Sequence, residues 1–148
     1  MTALTVKNIL GGFIMITLIL GKKGTGKTKK LMDLCNEAVA QSKGNVVFIE
    51  KDNTLTYDVS HQVRLVSAAD YAVDGFESLY GFVAGMCAGN YDITDIFVDS
   101  TLKIGGTDME ALATFVEKIS KLEVNMVLSV SADKSEVPAR IADVAQEI

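Results

Sequence analysis

Residues 21 to 28 read Gly-Lys-Lys-Gly-Thr-Gly-Lys-Thr, and they join two stretches of different character. Before them lies a β-branched apolar run, Ile14, Ile16, Leu18, Ile19 and Leu20; after them Leu31, Leu34, Cys35, Ala38 and Val39 fall at helical spacing. The run reads as a buried strand and the spacing as a helix resting on a sheet. A glycine-rich turn at that junction suits the binding of an oxyanion. Backbone N–H groups can wrap such a group only where the chain curls closely, which residues without Cβ bulk permit. The first turn of the helix adds unpaired N–H groups and the positive end of its dipole.

The spacing is that of the P-loop, or Walker A, pattern G-x-x-x-x-G-K-[ST], in its required strand–loop–helix context. Gly21, Gly24 and Gly26 are expected to free the backbone, with Lys22, Lys23 and Thr25 completing the loop. Lys27 is expected to reach the β- and γ-phosphates, and the Thr28 hydroxyl to ligate Mg²⁺. A glycine-rich turn with solvated lysines is the bland alternative. Asp99, closing the apolar run Ile93 to Val98, is placed as a Walker B carboxylate able to share that Mg²⁺. Glu50, Asp52, Ser100, Ser129 and Ser131 also fall at or near strand ends, the edge at which an open α/β sheet binds its ligand.

The elements that must position these residues alternate strand and helix, predicting an α/β fold of three layers, a mostly parallel central sheet with helices on both faces. Val46 to Ile49 reads as a strand after the turn at Gly44-Asn45, and a polar stretch from Asn53 to His61 leads to a short strand over Val63 to Ser67. A second helix presents Phe76, Leu79, Tyr80, Val83 and Cys87. Leu102 to Gly106 reads as a loop, after which Thr107 and Glu110 form a capping box for a helix bearing Leu112, Phe115, Val116 and Ile119. Asn125 to Ser131 is the last expected strand. Pro138 suits the first turn of a terminal helix with Ile141, Val144, Ala145 and Ile148 on its face.

The chain has 148 residues, 49% of them hydrophobic, enough for one sizeable core. A net charge of -5 argues against a nucleic-acid-coating surface, so the loop lysines form a local anion site on an acidic body. Cys35 and Cys87 lie on the apolar stripes of predicted helices, which favours core packing over metal or disulfide and a reducing, cytoplasmic setting. His61, the sole histidine, reads as a loop residue. No run approaches the roughly 18 apolar residues of a membrane-spanning helix. Gly11-Gly12 precedes Met15 at a distance where two glycine codons can spell a ribosome-binding sequence. Met15 is therefore the expected start, with residues 1–14 a non-core leader and 15–148 a single nucleotide-binding domain.

With these residues in hand, the chain resembles the RecA-like branch of P-loop ATPases. The carrying stretches are the P-loop, "FIEKD" at residues 48–52 and "IFVDS" ending in Asp99-Ser100. It is also similar to small bacterial P-loop proteins labelled ATP-binding or twitching-motility-ATPase-like. The resemblance implies binding of ATP and Mg²⁺, with Glu50 or Asp52 polarising the attacking water and Ser131 at the γ-phosphate-sensing position. P-loop ATPases with Glu directly after the Walker B Asp match less well, because Ser100 stands there. Arg64 and Arg140 are the only arginines, and neither adjoins a motif that would aim it at a phosphate. A slow ATPase that needs a protein partner or self-assembly is therefore the expected function. The alternatives are a nucleoside or small-molecule kinase of thymidine-kinase-like layout, which lacks that family's zinc cysteines here, and a nucleotide switch that does not hydrolyse.

Overall fold

The apolar runs become strands and the 3.6-residue stripes become helices, in a computed structural model that describes residues 4–7, 13–53 and 58–147. In chain order the elements are β1 (Leu4–Lys7), β2 (Phe13–Leu20), α1 (Lys27–Gln41), β3 (Asn45–Glu50), β4 (Arg64–Ser67) and α2 (Phe76–Gly89). They continue with β5 (Ile93–Val98), α3 (Thr101–Gly105), α4 (Met109–Ile119), β6 (Asn125–Val130), a 3-10 segment (Ala139–Val144) and β7 (Ala145–Glu147). The sheet order is β1-β2-β6-β5-β3-β4, and β7 also pairs with β2. Among the described residues only the β1–β2 pairing is antiparallel; the others are parallel.

Side chains of a strand alternate between faces, and both faces of this sheet are covered. Ile16, Leu18 and Leu20 of β2, with Ile96 and Val98 of β5, pack under α2 and α4 through Phe76, Leu79, Leu112, Phe115 and Val116. Ile19, Phe48 and Phe97 pack on the other face, against Leu31 and Cys35 of α1. The expected three-layer α/β architecture is therefore present, with α1 covering its face of the sheet. Double coverage explains why the strands read as near-continuous apolar runs.

Three local expectations are corrected. The cap of α4 is Asp108, whose carboxylate accepts from the N–H groups of Glu110 (3.0 Å) and Ala111 (3.2 Å), so the capping box expected from Thr107 does not form. The stretch expected as a loop over Leu102 to Gly106 contains α3. The expected terminal helix is instead the 3-10 segment followed by β7, whose residues Ala145 to Glu147 lie in register with Leu18 to Leu20. Ile148 lies outside the described residues, as do residues 1–3, 8–12 and 54–57, which take in Gly11-Gly12 and part of the polar stretch. Four residues of the expected leader, Leu4–Lys7, form β1 along Phe13 to Ile16. β1 and β7 thus share one edge of β2, and β6 occupies the other.

Candidate functional site

The loop expected to cradle phosphate leaves the carboxyl end of β2 and enters α1 at Gly26, whose φ of +90° and that of Gly24 (+86°) are left-handed conformations that side chains disfavour. Gly21 serves differently, because an added Cβ there would run into the Thr25 hydroxyl. That hydroxyl donates to Lys22 O (2.7 Å), and Lys27 Nζ donates to the same carbonyl (2.9 Å), so Lys22 takes part through its main chain. Gly26 offers α1 no side-chain cap, and no acidic residue stands in the first turn. The opening N–H groups of α1 consequently meet no side chain of their own helix, in contrast to those of α4.

Lys27 is only 8% exposed. Burial lowers its pKa; Asp99 opposes that shift and the charge of Lys103 adds to it. Asp99, 1% exposed, follows β5 directly, and its N–H donates to Ile49 O (2.9 Å), which holds the residue against β3. Both its carboxylate oxygens lie within reach of the Thr28 hydroxyl, at 3.2 and 3.1 Å. Ser129 Oγ donates to Asp99 Oδ1 (2.7 Å) and accepts from the Ser100 N–H (2.8 Å). Ser100 sits at φ 54°, ψ 49°, a left-handed conformation that turns the chain sharply from β5 into α3.

A cleft of about 560 Å³ opens over these groups, lined among others by Lys23, Lys27, Thr28, Asp99, Ser129 and Ser131. Its size falls within the range of small-molecule sites. The strand register explains the convergence. Ile19 pairs with Ser129, Val98 with Leu128, Ile49 with Val98, and Glu50 with Ser67. Ser129, Asp99, Glu50 and Ser67 therefore form one buried polar row across four adjacent strands, on the α1 face.

Glu50 lies one strand further out than Asp99 and does not line the cleft. It is 3% exposed, and its Oε2 has no hydrogen-bond partner. Burial raises its pKa first, and the charges of Asp52, Asp70 and Asp99 raise it further. Asp52 is half-buried beyond the end of β3 and outside the cleft lining. Ser131 reaches the cleft from just past β6 and is exposed. Arg64 instead lines a separate cleft beside Tyr71 and Phe82, and Arg140 is engaged with Glu110 and with Glu117 (2.8 Å).

Two contributors go beyond the sequence reading, which placed Ser129 at the ligand-binding edge without a task and did not single out Lys103. Ser129 belongs to an apolar strand, and its alternation with Val127 toward the α1 face was the available signal. Lys103 lines the cleft from α3, and a stretch that reads as a loop gave no local signal for it. Cys35 is buried, its thiol pushed up to about 12 by burial and then by Asp95, and Cys87 is likewise raised by burial, so neither is poised to react. No helix among the described residues is long and apolar enough to cross a membrane.

Comparison of the chain with protein-family models and with curated proteins finds no match.

Proposed function

We propose that the cleft binds a nucleoside triphosphate, ATP, with Mg²⁺, and that the protein hydrolyses it slowly. The observation that carries this reading is the Thr28–Asp99 pair at the foot of the glycine loop. A hydroxyl and a carboxylate from elements 71 residues apart meet within 3.2 Å beside a buried lysine and an uncapped helix N-terminus. Magnesium is commonly held by one or two carboxylates together with phosphate oxygens and water, so this donor pair fits it. When bound there, Mg²⁺ would neutralise charge on the β- and γ-phosphates.

The remaining tasks fall to the chain itself. Backbone N–H groups from Gly24 to Thr28 bind phosphate oxygens, and Lys27 Nζ exchanges Lys22 O for them. Ser129 holds the Asp99 carboxylate in orientation, fixed by its own bond from the Ser100 N–H. Glu50 is favoured over Asp52 as the group that orients water and takes its proton. It is the buried carboxyl in register with Asp99, one strand out from the cleft lining, whereas Asp52 lies beyond the end of β3. Ser131 contacts the terminal phosphate. No arginine lines the cleft, so rapid turnover needs a second chain, either another copy or a cytoplasmic partner.

Binding of Mg-ATP to the parent and to Lys27→Ala, followed by calorimetry with a thermal melt of each, tests the reading. The parent should bind, and Lys27→Ala should lose binding while keeping its fold. Equal affinity in the two proteins would refute the phosphate assignment.

A further inference from the structure

Lys23 and Lys103 are the charged residues of the cleft whose side chains have no task in the proposed function, and Lys103 is the one carried on a helix. It stands four residues after Asp99 on α3, and the element that carries it is firmly held. Thr101 and Ile104 are fully buried, the Thr101 hydroxyl donates to Val98 O (3.4 Å), and Ile104 O accepts from the Gly75 N–H (2.8 Å). Gly105 lies so close to the Phe76 ring that an added Cβ would overlap it. With residues 101 and 104 turned into the core, residue 103 falls on the open side of the helix, and that side faces the cleft.

The charge balance of the lining is unusual for this molecule. Lys23, Lys27 and Lys103 line the cleft against a single carboxylate, Asp99, although the chain as a whole carries a net charge of -5. None of the ion pairs among the described residues engages Lys103. Like charges gathered around one cleft are reconciled by a ligand bearing several negative charges.

We propose that Lys103 binds the terminal phosphate of the triphosphate from within the same chain, across the cleft from Lys27. The inference rests on the proposed function and adds a cation that the sequence reading sought only among arginines. The glycine loop and the start of α1 take the phosphates nearer the nucleoside. Lys103 lines the cleft together with Asp99 and Ser131, and Ser131 is the residue to which the proposed function assigns the terminal phosphate. Its ammonium is a compact point charge without the planar fork of a guanidinium, suited to holding one oxygen.

The test is the affinity for Mg-ATP and for Mg-ADP, measured by calorimetry on the parent, Lys103→Gln and Lys103→Arg. A lost charge-assisted contact should weaken Mg-ATP about tenfold or more in Lys103→Gln and change Mg-ADP by less than about twofold. Lys103→Arg should keep most of the preference for the triphosphate. Lys103 is exposed, so the melting temperature without nucleotide should match the parent's in both variants. An equal loss for the two nucleotides, or no loss for either, overturns the assignment of Lys103. A parent that binds neither nucleotide overturns the proposed function and this inference with it.

Discussion

Replacing Ser129 by alanine probes the carboxylate's support without touching any group proposed to contact ligand charge. The serine hydroxyl donates to Asp99 Oδ1 at 2.7 Å and accepts from the Ser100 N–H at 2.8 Å, and both Ser129 and Asp99 are 1% exposed. A hydrogen bond to a charged group contributes about 1.5–3 kcal/mol, and the part-buried Ser100 N–H would lose its acceptor as well. The two effects share one hydroxyl and are not additive, so a loss of about 3 kcal/mol is expected. For a chain of 148 residues that corresponds to a fall in melting temperature of roughly 6–12 °C. Urea unfolding should show the same loss as a shifted midpoint at constant slope. Ser131→Ala, at the exposed position two residues on, should stay within about 0.5 kcal/mol of the parent. If Ser129→Ala also stayed within that margin, the hydroxyl would not be bridging the carboxylate and the turn, and the account of how Asp99 is held would fail.

Glu50→Gln should alter how stability depends on pH. A carboxyl whose pKa is raised on folding keeps its proton more readily in the folded state, so it draws stability down as pH rises from its ordinary value of 4.5 through the raised one. Urea melts from acid to neutral pH should therefore show the variant gaining on the parent as pH increases; a pH-independent difference would refute the buried charge. Asp108→Ala should cost about 1 kcal/mol through loss of the α4 cap, whereas Thr107→Ala should cost less than about 0.5 kcal/mol, and chemical denaturation of the pair decides between the two caps.

The strands and the first helix were legible because their signals are local. Ile16 to Leu20 is too continuous for a surface element, and Leu31, Cys35 and Ala38 keep helical phase long enough to declare it. Residues Gly21 to Thr28 carry the spacing of a phosphate loop, a local pattern read from eight consecutive residues. What was not legible depends on partners distant in sequence. Ala145 to Glu147 looked helical because Ile141, Val144 and Ala145 fit that spacing; it becomes a strand because β2 has an open edge beside Leu18 to Leu20, which no local pattern reveals. α3 is five residues long, too short to show a period, and Gly105-Gly106 disguised it as a loop, so Lys103 was passed over. Glu50 and Asp52 were equivalent candidates until the register aligned Glu50 with the Asp99 level.

That alignment also bears on how the chain finds its fold. Strands apolar on both faces carry little information about how far one should slide along its neighbour, since an isoleucine facing α1 and a valine facing α2 exchange at modest cost. The row Ser129, Asp99, Glu50 and Ser67 supplies what the apolar residues lack. A slip of one residue in β5 or β3 would turn Asp99 or Glu50 toward the α2–α4 layer, where an unpaired carboxylate is far more costly than a misplaced methyl group. The polar ends of the strands thus act as alignment marks during assembly, rejecting shifted pairings before any ligand is present. Apolar replacements of Asp99 and Glu50 together would be expected to leave a stable sheet with blurred strand pairing, a loss of uniqueness rather than of compactness.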